Sequence, residues 1–389
     1  MSSIFKDRSK LSPRYIPERL PHRDGQIKVL LSLYGHVLED PESAFLQVTQ
    51  IVGGVGTGKT CTAVNFGKRI EGEASRLDIS LKHIYVNAKV EGAGRYVLYR
   101  RMLEKAAPKI ASRSLSPEEM LFQLVRYLKD EKEYVILTID EIDYLCKRGE
   151  HVIYDLTRLN EISPGEPINI LGVLLISRDF SYYKFLEPSE LSTLGRCVVE
   201  FPPYTSSQIK DILWDRVKMA FKPGAVSDEV LDFISDLTAK PPVNGDVRVA
   251  LDLLLYSGNL AENMGRSEIL PDHVRMVYAE THPGITTEDI LDLSDRGKLV
   301  LLGLVRALKS QKKAYVGLRE IREGYQIVCE ERGIKPSGEV EEYVQDLIDR
   351  GIVSMKSLRE FGISEVPAED LERFLNGVIE RLKVGRDEP

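Results

Sequence analysis

Up to residue 201 the chain alternates between short apolar runs and longer segments of helical character. The runs Phe45-Leu46-Gln47-Val48-Thr49-Gln50-Ile51-Val52, Lys82-His83-Ile84-Tyr85-Val86-Asn87 and Tyr134-Val135-Ile136-Leu137-Thr138-Ile139 read as strands, as do residues 168–176 and 197–201. Helix-compatible stretches lie between them. One covers residues 61–70, and another is opened by Ser116-Pro117-Glu118-Glu119, a cap followed by proline at the first helical position. Strands that alternate with helical segments predict a parallel sheet with crossover helices.

Pro202-Pro203-Tyr204 breaks this pattern, and the chain turns helical to about residue 282. Thr205 and Gln208 have capping-box spacing. Residues 237–242 read as a loop, and Asn244-Gly245-Asp246 then starts a helix containing Arg248. Val249, Leu251, Leu253, Leu255 and Tyr256 give that helix a broad side expected to be buried. This is a small all-helical domain. Beyond His282-Pro283-Gly284, helices are predicted at about 294–308, 318–331 and 339–350, with a short strand at 351–355 and a closing helix over 367–383. Three helices followed by a strand pair predict a winged helix. The expected domains are residues 1–202, 203–283 and 284–389.

Composition narrows the class. A chain of 389 residues exceeds one ordinary core, and 43% hydrophobic with 29% charged residues describes a folded globular protein. No apolar run approaches the roughly 18 residues of a membrane helix, and the polar, basic start lacks a signal-peptide core. A cytoplasmic, nucleoid-associated protein is expected. Cys61, Cys146, Cys197 and Cys329 form no C-x-x-C pair, which argues against zinc or a disulfide framework. A net charge of −7 argues against indiscriminate nucleic-acid binding by the whole surface and leaves room for local patches. Residues 1–30 carry seven basic against three acidic side chains, with residues 1–10 expected as a solvated tail. Residues 82–113 carry eight basic against two acidic, with Tyr96 and Tyr99 interleaved, and suit contact with a phosphate backbone.

The chemistry centres on Gly53-Gly54-Val55-Gly56-Thr57-Gly58-Lys59-Thr60, the full G-x-x-x-x-G-K-[ST] spacing between a predicted strand and a predicted helix. Glycines let backbone N–H groups point at a phosphate that a Cβ would keep away. The helix opening at Lys59, and running into Cys61, aims its positive end at the same anion. Lys59 reaches the outer phosphates, and the Thr60 hydroxyl is placed to ligate Mg²⁺. Asp140 and Glu141 end a buried strand, the first suited to hold the Mg²⁺ shell and the second to polarise the attacking water. The chain is thus expected to bind ATP or ADP with Mg²⁺. The prolines at 17 and 21 impose an extended path that would wall off the base.

The order of motifs resembles the AAA+ initiators of archaeal DNA replication, relatives of the largest origin-recognition subunit and of its helicase-loading paralogue. The resemblance covers nearly the whole chain. It rests on Pro17-Glu18-Arg19-Leu20-Pro21-His22-Arg23, Gly56-Thr57-Gly58-Lys59-Thr60, Tyr85-Val86-Asn87-Ala88, Asp140-Glu141-Ile142-Asp143, Phe201-Pro202-Pro203-Tyr204 and Gly245-Asp246-Val247-Arg248. It implies an α/β AAA+ P-loop domain with a parallel sheet, a small all-helical lid and a C-terminal winged helix. It further implies that Arg248 is the lid arginine reaching the γ-phosphate, that Tyr204 and Arg216 close around the nucleotide, and that Pro21, His22 and Arg23 border the adenine. Family members bind double-stranded origin DNA through the winged helix and an insertion in the ATPase domain. Lys89, Arg95, Arg100 and Arg101, with Lys356 and Arg359 in the wing, are the matching candidates here. Other initiator paralogues and the replicative helicase are the implied partners, with ATP and ADP acting as a slow switch in helicase loading.

Three departures stand beside the resemblance. Arg178 occupies the place where the family has an Asn that orients water, and Ser189 the place of the trans-acting arginine finger. A missing finger costs on the order of 10³-fold in rate, so only weak ATPase activity is expected. In the expected recognition helix, Val340, Tyr343, Val344, Leu347 and Ile348 form the core face, and the other face carries Glu339, Glu341, Glu342, Asp346 and Asp349 against Arg350. Phosphates repel such a face. The alternative function is therefore a regulatory or adaptor paralogue whose acidic winged helix binds other initiators or the helicase.

Overall fold

The computed structural model describes residues 3–91, 94–163, 168–282, 284–336 and 340–384, with side chains up to residue 380. The chain forms two compact units, Ile16–Tyr204 and Met1–Tyr15 together with Thr205–Pro389. No helix among the described residues is long and apolar enough to cross a membrane.

The first unit runs α1 (Asp24–Gly35), β1 (Gln47–Gly53), α2 (Lys59–Arg76), β2 (Leu81–Asn87), α3 (Arg95–Ala106), α4 (Pro117–Asp130), β3 (Tyr134–Asp140), α5 (Ile142–Cys146), α6 (Val152–Thr157), β4 (Ile170–Ser177), α7 (Pro188–Thr193) and β5 (Val198–Phe201). The strands form one parallel sheet in the order β2-β3-β4-β1-β5. Alternation along the buried strands feeds two cores. Leu137, Ile139, Val173 and Leu175 pack with Leu98, Met102, Leu124 and Leu128 of α3 and α4. Ile51, Ile136, Leu174 and Ile176 pack with Leu30, Tyr34, Phe66 and Ile70 of α1 and α2. Helices thus cover both faces, which is why the strands read as near-continuous apolar runs. The carboxyl ends of β1, β3 and β4 lie side by side, where open α/β sheets place their ligands.

The second unit holds α8 (Ser206–Ala220), α9 (Asp228–Ala239), α10 (Val247–Asn263) and α11 (Pro271–Thr281), then α12 (Thr287–Leu291), α13 (Asp295–Gln311), α14 (Leu318–Glu331) and α15 (Val340–Asp349). The antiparallel hairpin β6 (Ser354–Ser357) and β7 (Glu360–Gly362) and the helix α16 (Ala368–Val384) complete it. The expected cap at Ser116 forms, as a full capping box with Glu119, and so does the expected capping box at Thr205.

Several expectations need correction. Residues 3–10 are no solvated tail: Ile4 and Phe5 are buried, as is Leu11 after them, Phe5 and Phe221 rings lie 4.6 Å apart, and Lys222 N–H donates to Ile4 O at 2.9 Å. The charges between those apolar residues hid them, and Arg8 itself pairs with Glu262. On α10, Leu251 and Leu253 are buried as expected and Val249 and Leu255 are half-buried, but Tyr256 is 55% exposed, because the buried side is completed by Val247, Ala250, Leu254 and Gly258 instead. The first wing strand begins at Ser354, three residues later than expected. Glu339 of the acidic face and Pro283 of the second boundary lie outside the described residues.

One buried cation ties the helical region to the hairpin. Arg275 of α11 donates to Ile363 O and Ala314 O, both at 2.8 Å, and to Lys313 O at 3.3 Å, and lies 3.5 Å from Asp272 Oδ1. Asp272 Oδ1 also accepts from Ala368 N–H at 2.9 Å, and Glu229 Oε1 accepts from Ala314 N–H at 2.7 Å. Burial pushes the Arg275 pKa down, yet three carbonyls and a carboxylate compensate the charge.

Candidate functional site

The phosphate loop leaves β1 at Gly53 and enters α2 at Lys59. A Cβ at Gly53 would stand 2.4 Å from Phe201 O on β5, so only glycine lets the loop start so close to the sheet. Gly58, at φ 88°, is the N-cap of α2 in the left-handed region and uses no side chain as a cap. The opening amides of α2 therefore keep their hydrogen-bonding capacity for an anion at the positive end of the helix. Lys59 Nζ donates to Gly53 O at 2.6 Å and Gly54 O at 2.7 Å, folding its charge into the loop. Val55 is exposed and Thr57 buried, with the Thr57 hydroxyl donating to Gly54 O at 2.9 Å. Gly56, at φ 68°, and the partly buried Cys61 complete the loop and the first turn of α2.

Arg23 stabilises the loop from behind. It is 2% exposed, donates to Thr57 O at 2.9 Å and Pro202 O at 2.8 Å, and its guanidinium lies 3.8 Å over the Tyr204 ring. Burial lowers the Arg23 pKa and raises that of Tyr204. Its cation is thus used on loop carbonyls and an aromatic face. Pro21 and His22 form the turn before α1, with His22 exposed at φ 62°.

Across the sheet, the carboxylate of Asp140 closes the phosphate-loop side. Thr60 Oγ1 donates to Asp140 Oδ2 at 2.6 Å, the Tyr85 hydroxyl donates to the same oxygen at 2.8 Å, and Glu141 N–H donates to Oδ1 at 2.8 Å. Burial, with the charge of Asp140 added, pushes the Tyr85 hydroxyl well above the usual range. A hydroxyl and a carboxylate this close suit Mg²⁺, which takes one or two protein oxygens and keeps waters and phosphates for the rest. Glu141 follows in the left-handed region at φ 55°, and Arg178 lies 3.5 Å from its Oε1.

The sequence motifs assign Tyr85 no role; it joins the site because β2 lies beside β3, with Asn87, two residues on, paired to Asp140.

Of the remaining expected residues, Arg216 and Arg248 belong to the second unit and Ser189 to the first. Arg216 is buried in the second unit, donating to Lys10 O at 3.0 Å and Tyr15 O at 3.2 Å. Arg248 is exposed in the first turn of α10, its N–H bonded to Asp246 Oδ1 at 2.8 Å. Ser189 lies in the first turn of α7, and its carbonyl accepts from the hydroxyls of Ser192 and Thr193.

The basic stretch is less free than its charge count implies. Arg95 pairs with Asp155 at 2.5 Å and Glu118 at 2.6 Å, which commits it inside the domain. Arg100 and Arg101 share Glu104, at 3.5 and 2.9 Å, while Lys89 is exposed. In the second unit, Lys356 faces Asp232 and Asp236 at 3.9 and 3.8 Å. Arg359 is exposed at the hairpin turn.

Comparison with known proteins agrees with this architecture. Residues 47–179 match the AAA domain, 210–279 the Cdc6 AAA+ ATPase-type lid domain and 288–361 the C-terminal winged helix domain of CDC6. The ORC1-type DNA replication protein 1 of Aeropyrum pernix is 33% identical over 339 residues, covering 86% of this chain and 82% of the relative. The crystal structure of Cdc6p from Pyrobaculum aerophilum superposes with a TM-score of 0.82 at 30% identity, covering 98% of this chain and 100% of that one. The Aeropyrum pernix ORC1 protein in complex with DNA superposes with a TM-score of 0.63 at 29% identity and the same coverage. The AAA domain with its phosphate loop is a nucleotide-binding domain, and the chain belongs to the ORC1/Cdc6-type DNA replication initiator family of archaea.

Proposed function

We propose that this protein is a nucleotide-switched initiator that recognises duplex origin DNA and, with other initiator paralogues, helps load the replicative helicase in the nucleoid. The observation that carries the nucleotide half is the meeting of Thr60 and Asp140 at 2.6 Å beside a complete phosphate loop. With Mg²⁺ bound there, its charge would neutralise the outer phosphates. Lys59 would turn from its loop carbonyls to those phosphates, and Glu141 would accept a proton from the attacking water. Ser189 brings no guanidinium to a neighbour's nucleotide, so turnover is slow and occupancy, rather than rate, is the signal.

Support for the DNA half comes from the relative described in complex with DNA and from local charge. Arg100 and Arg101 against Glu104 leave a net positive surface on α3, whereas Lys356 faces two carboxylates. DNA contact is therefore assigned chiefly to the ATPase domain. Fluorescence anisotropy with labelled duplex origin fragments, titrated over a salt series, tests this. Binding that weakens steeply with salt is expected, and no binding at low salt defeats the proposal.

A second reading is favoured by α15, whose outer side carries Glu341, Glu342, Asp346 and Asp349. Such a face suits a basic protein surface better than phosphates, as an adaptor to another initiator or to the helicase would require. Pull-downs against those proteins discriminate. Tight DNA binding with no captured partner removes the adaptor.

A further inference from the structure

Polar side chains on one face of β2 and β3 form a row that ends at the phosphate loop. In the parallel pairing His83 is level with Ile136, Tyr85 with Thr138 and Asn87 with Asp140. Each donor leans forward by one pair: His83 Nε2 lies 2.8 Å from Thr138 Oγ1, and the Tyr85 hydroxyl donates to Asp140 Oδ2 at 2.8 Å. β2 is an edge strand of the sheet, so the outward carbonyl of Tyr85 has no strand partner. It accepts instead from Lys105 Nζ at 2.8 Å, and Glu91 Oε2 holds that ammonium at 2.6 Å while its Oε1 accepts from Asn87 N–H at 3.2 Å. The backbone that carries the Tyr85 hydroxyl is thus fixed from outside the sheet. An ionised carboxylate offers about four acceptor positions. Asp140 is 4% exposed, and its Oδ2 accepts from both Tyr85 and Thr60, while Oδ1 accepts from Glu141 N–H at 2.8 Å. Among the described residues no second donor meets Oδ1, so one acceptor position is left there.

We propose that Tyr85 is a positioning residue for the divalent cation of the nucleotide site: its hydroxyl locks the Asp140 carboxylate in the orientation that offers one acceptor position to the water shell of Mg²⁺. This rests on the nucleotide reading above. A phenol keeps its proton at neutral pH, so toward a carboxylate Tyr85 only donates. Thr60 gives its own proton to the same Oδ2, which leaves the Thr60 oxygen its lone pairs for the cation. With the Tyr85 hydroxyl removed, Oδ2 is held by Thr60 alone among the described residues and the carboxylate is free to turn about its last bond. Mg²⁺ demands near-ideal octahedral geometry, so a ligand shell that turns binds it less well, and donors standing behind metal ligands are worth about 10- to 100-fold in metal affinity. The role belongs to the hydroxyl and not to the ring, which packs whether or not it carries one.

The test titrates Mg²⁺ into the full-length chain carrying a fluorescent ATP analogue, for the wild type and Tyr85→Phe, with the affinity for the analogue measured separately in EDTA. Tyr85→Phe is expected to raise the half-saturating Mg²⁺ concentration about tenfold and to leave the metal-free nucleotide affinity within about twofold. Electron paramagnetic resonance with Mn²⁺ in place of Mg²⁺ reads the cation directly, and the variant should bind it more weakly by a similar factor. A half-saturating concentration that is unchanged or lower overturns the proposal, since the hydroxyl then only draws charge from Asp140. Equal weakening with and without metal overturns it too, because Tyr85 then supports the loop and not the cation. Thermal melts check folding, and Tyr85→Met, which also lacks the hydroxyl, carries the same test should the phenylalanine variant not fold. A wild type that binds no nucleotide fails earlier, at the nucleotide reading itself, and one that binds it but is indifferent to Mg²⁺ fails at the metal.

Discussion

His83 sits on β2 with its Nε2 2.8 Å from the Thr138 hydroxyl and its ring edge-on to Phe66. Burial alone depresses its pKa to about 4, from an ordinary value of about 6.5. The unfolded chain therefore binds a proton between those two values that the folded one refuses. Stability attributable to His83 is complete above pH 6.5 and is lost as pH falls toward 4, at a cost of about 2–3 kcal/mol. In His83→Gln the fall in urea midpoint between pH 6.5 and 4 should flatten by that amount, and an unchanged slope would remove the assignment. Lys59 makes a contrasting case. Its bonds to Gly53 O and Gly54 O are local, so Lys59→Ala should fold, while binding nucleotide on the order of 100-fold more weakly, since the cation proposed to turn to the outer phosphates is removed. Equal affinity by titration would contradict the phosphate-loop assignment. Glu141→Gln, by contrast, should retain triphosphate while hydrolysis stops, and turnover at the wild-type rate would move the base elsewhere.

At the scale of elements, Arg275 is the residue on which the hairpin depends. Its three carbonyl partners lie on the segments around the hairpin, Lys313 and Ala314 before it and Ile363 after it. Arg275→Met keeps much of the volume and removes every donor, leaving those carbonyls buried and unsatisfied. A loss of about 2–4 kcal/mol is expected, read as a lower thermal midpoint. A midpoint within a degree of wild type would mean the carbonyls find water. Nothing in the sequence pointed to this residue, because a lone arginine in a helix looks like any surface cation. The elements themselves were legible for a physical reason: strands buried on both faces need uninterrupted apolar residues, and the capping boxes at Ser116 and Thr205 mark helix starts by chemistry. The failures share a cause too. Ile4 and Phe5 are two apolar residues among charges, too few to show a period, and their partner Phe221 is more than two hundred positions away. Tyr256 differs from its expected burial because Leu253, Leu254, Leu255 and Tyr256 are consecutive, so the pattern admits more than one buried face. The site followed the same rule. Local motifs found the loop and both carboxylates, while Tyr85 and the Arg178–Glu141 pair depend on strand order, which no local pattern encodes.

For the whole molecule, the question is which surface meets DNA, and ion pairing changes the answer that charge counting suggests. Residues 82–113 carry a net +6, but Lys82, Arg95, Lys105 and Lys109 each have a carboxylate partner within 3.1 Å. Exposed pairs are worth little, so a phosphate can displace a carboxylate where the local balance is positive. That condition holds at Arg100 and Arg101, which share one glutamate, and fails at Lys356, which faces two aspartates. Arg95 is excluded by its second partner and by Tyr99, whose hydroxyl donates to Asp155 at 2.6 Å. Charge reversal at Arg100 and Arg101 should therefore weaken duplex binding by about tenfold or more and flatten its salt dependence by about two counterions. Reversal at Lys356 and Arg359 should cost less, because Lys356 faces two aspartates and Arg359 stands next to Glu360 in the chain. If the wing variant loses more, the aspartates of α9 do not hold Lys356 in solution and the hairpin is the principal DNA contact. The two outcomes also separate the functional readings, since an initiator with a silent wing leaves its acidic α15 available to a protein partner while the ATPase domain holds the duplex.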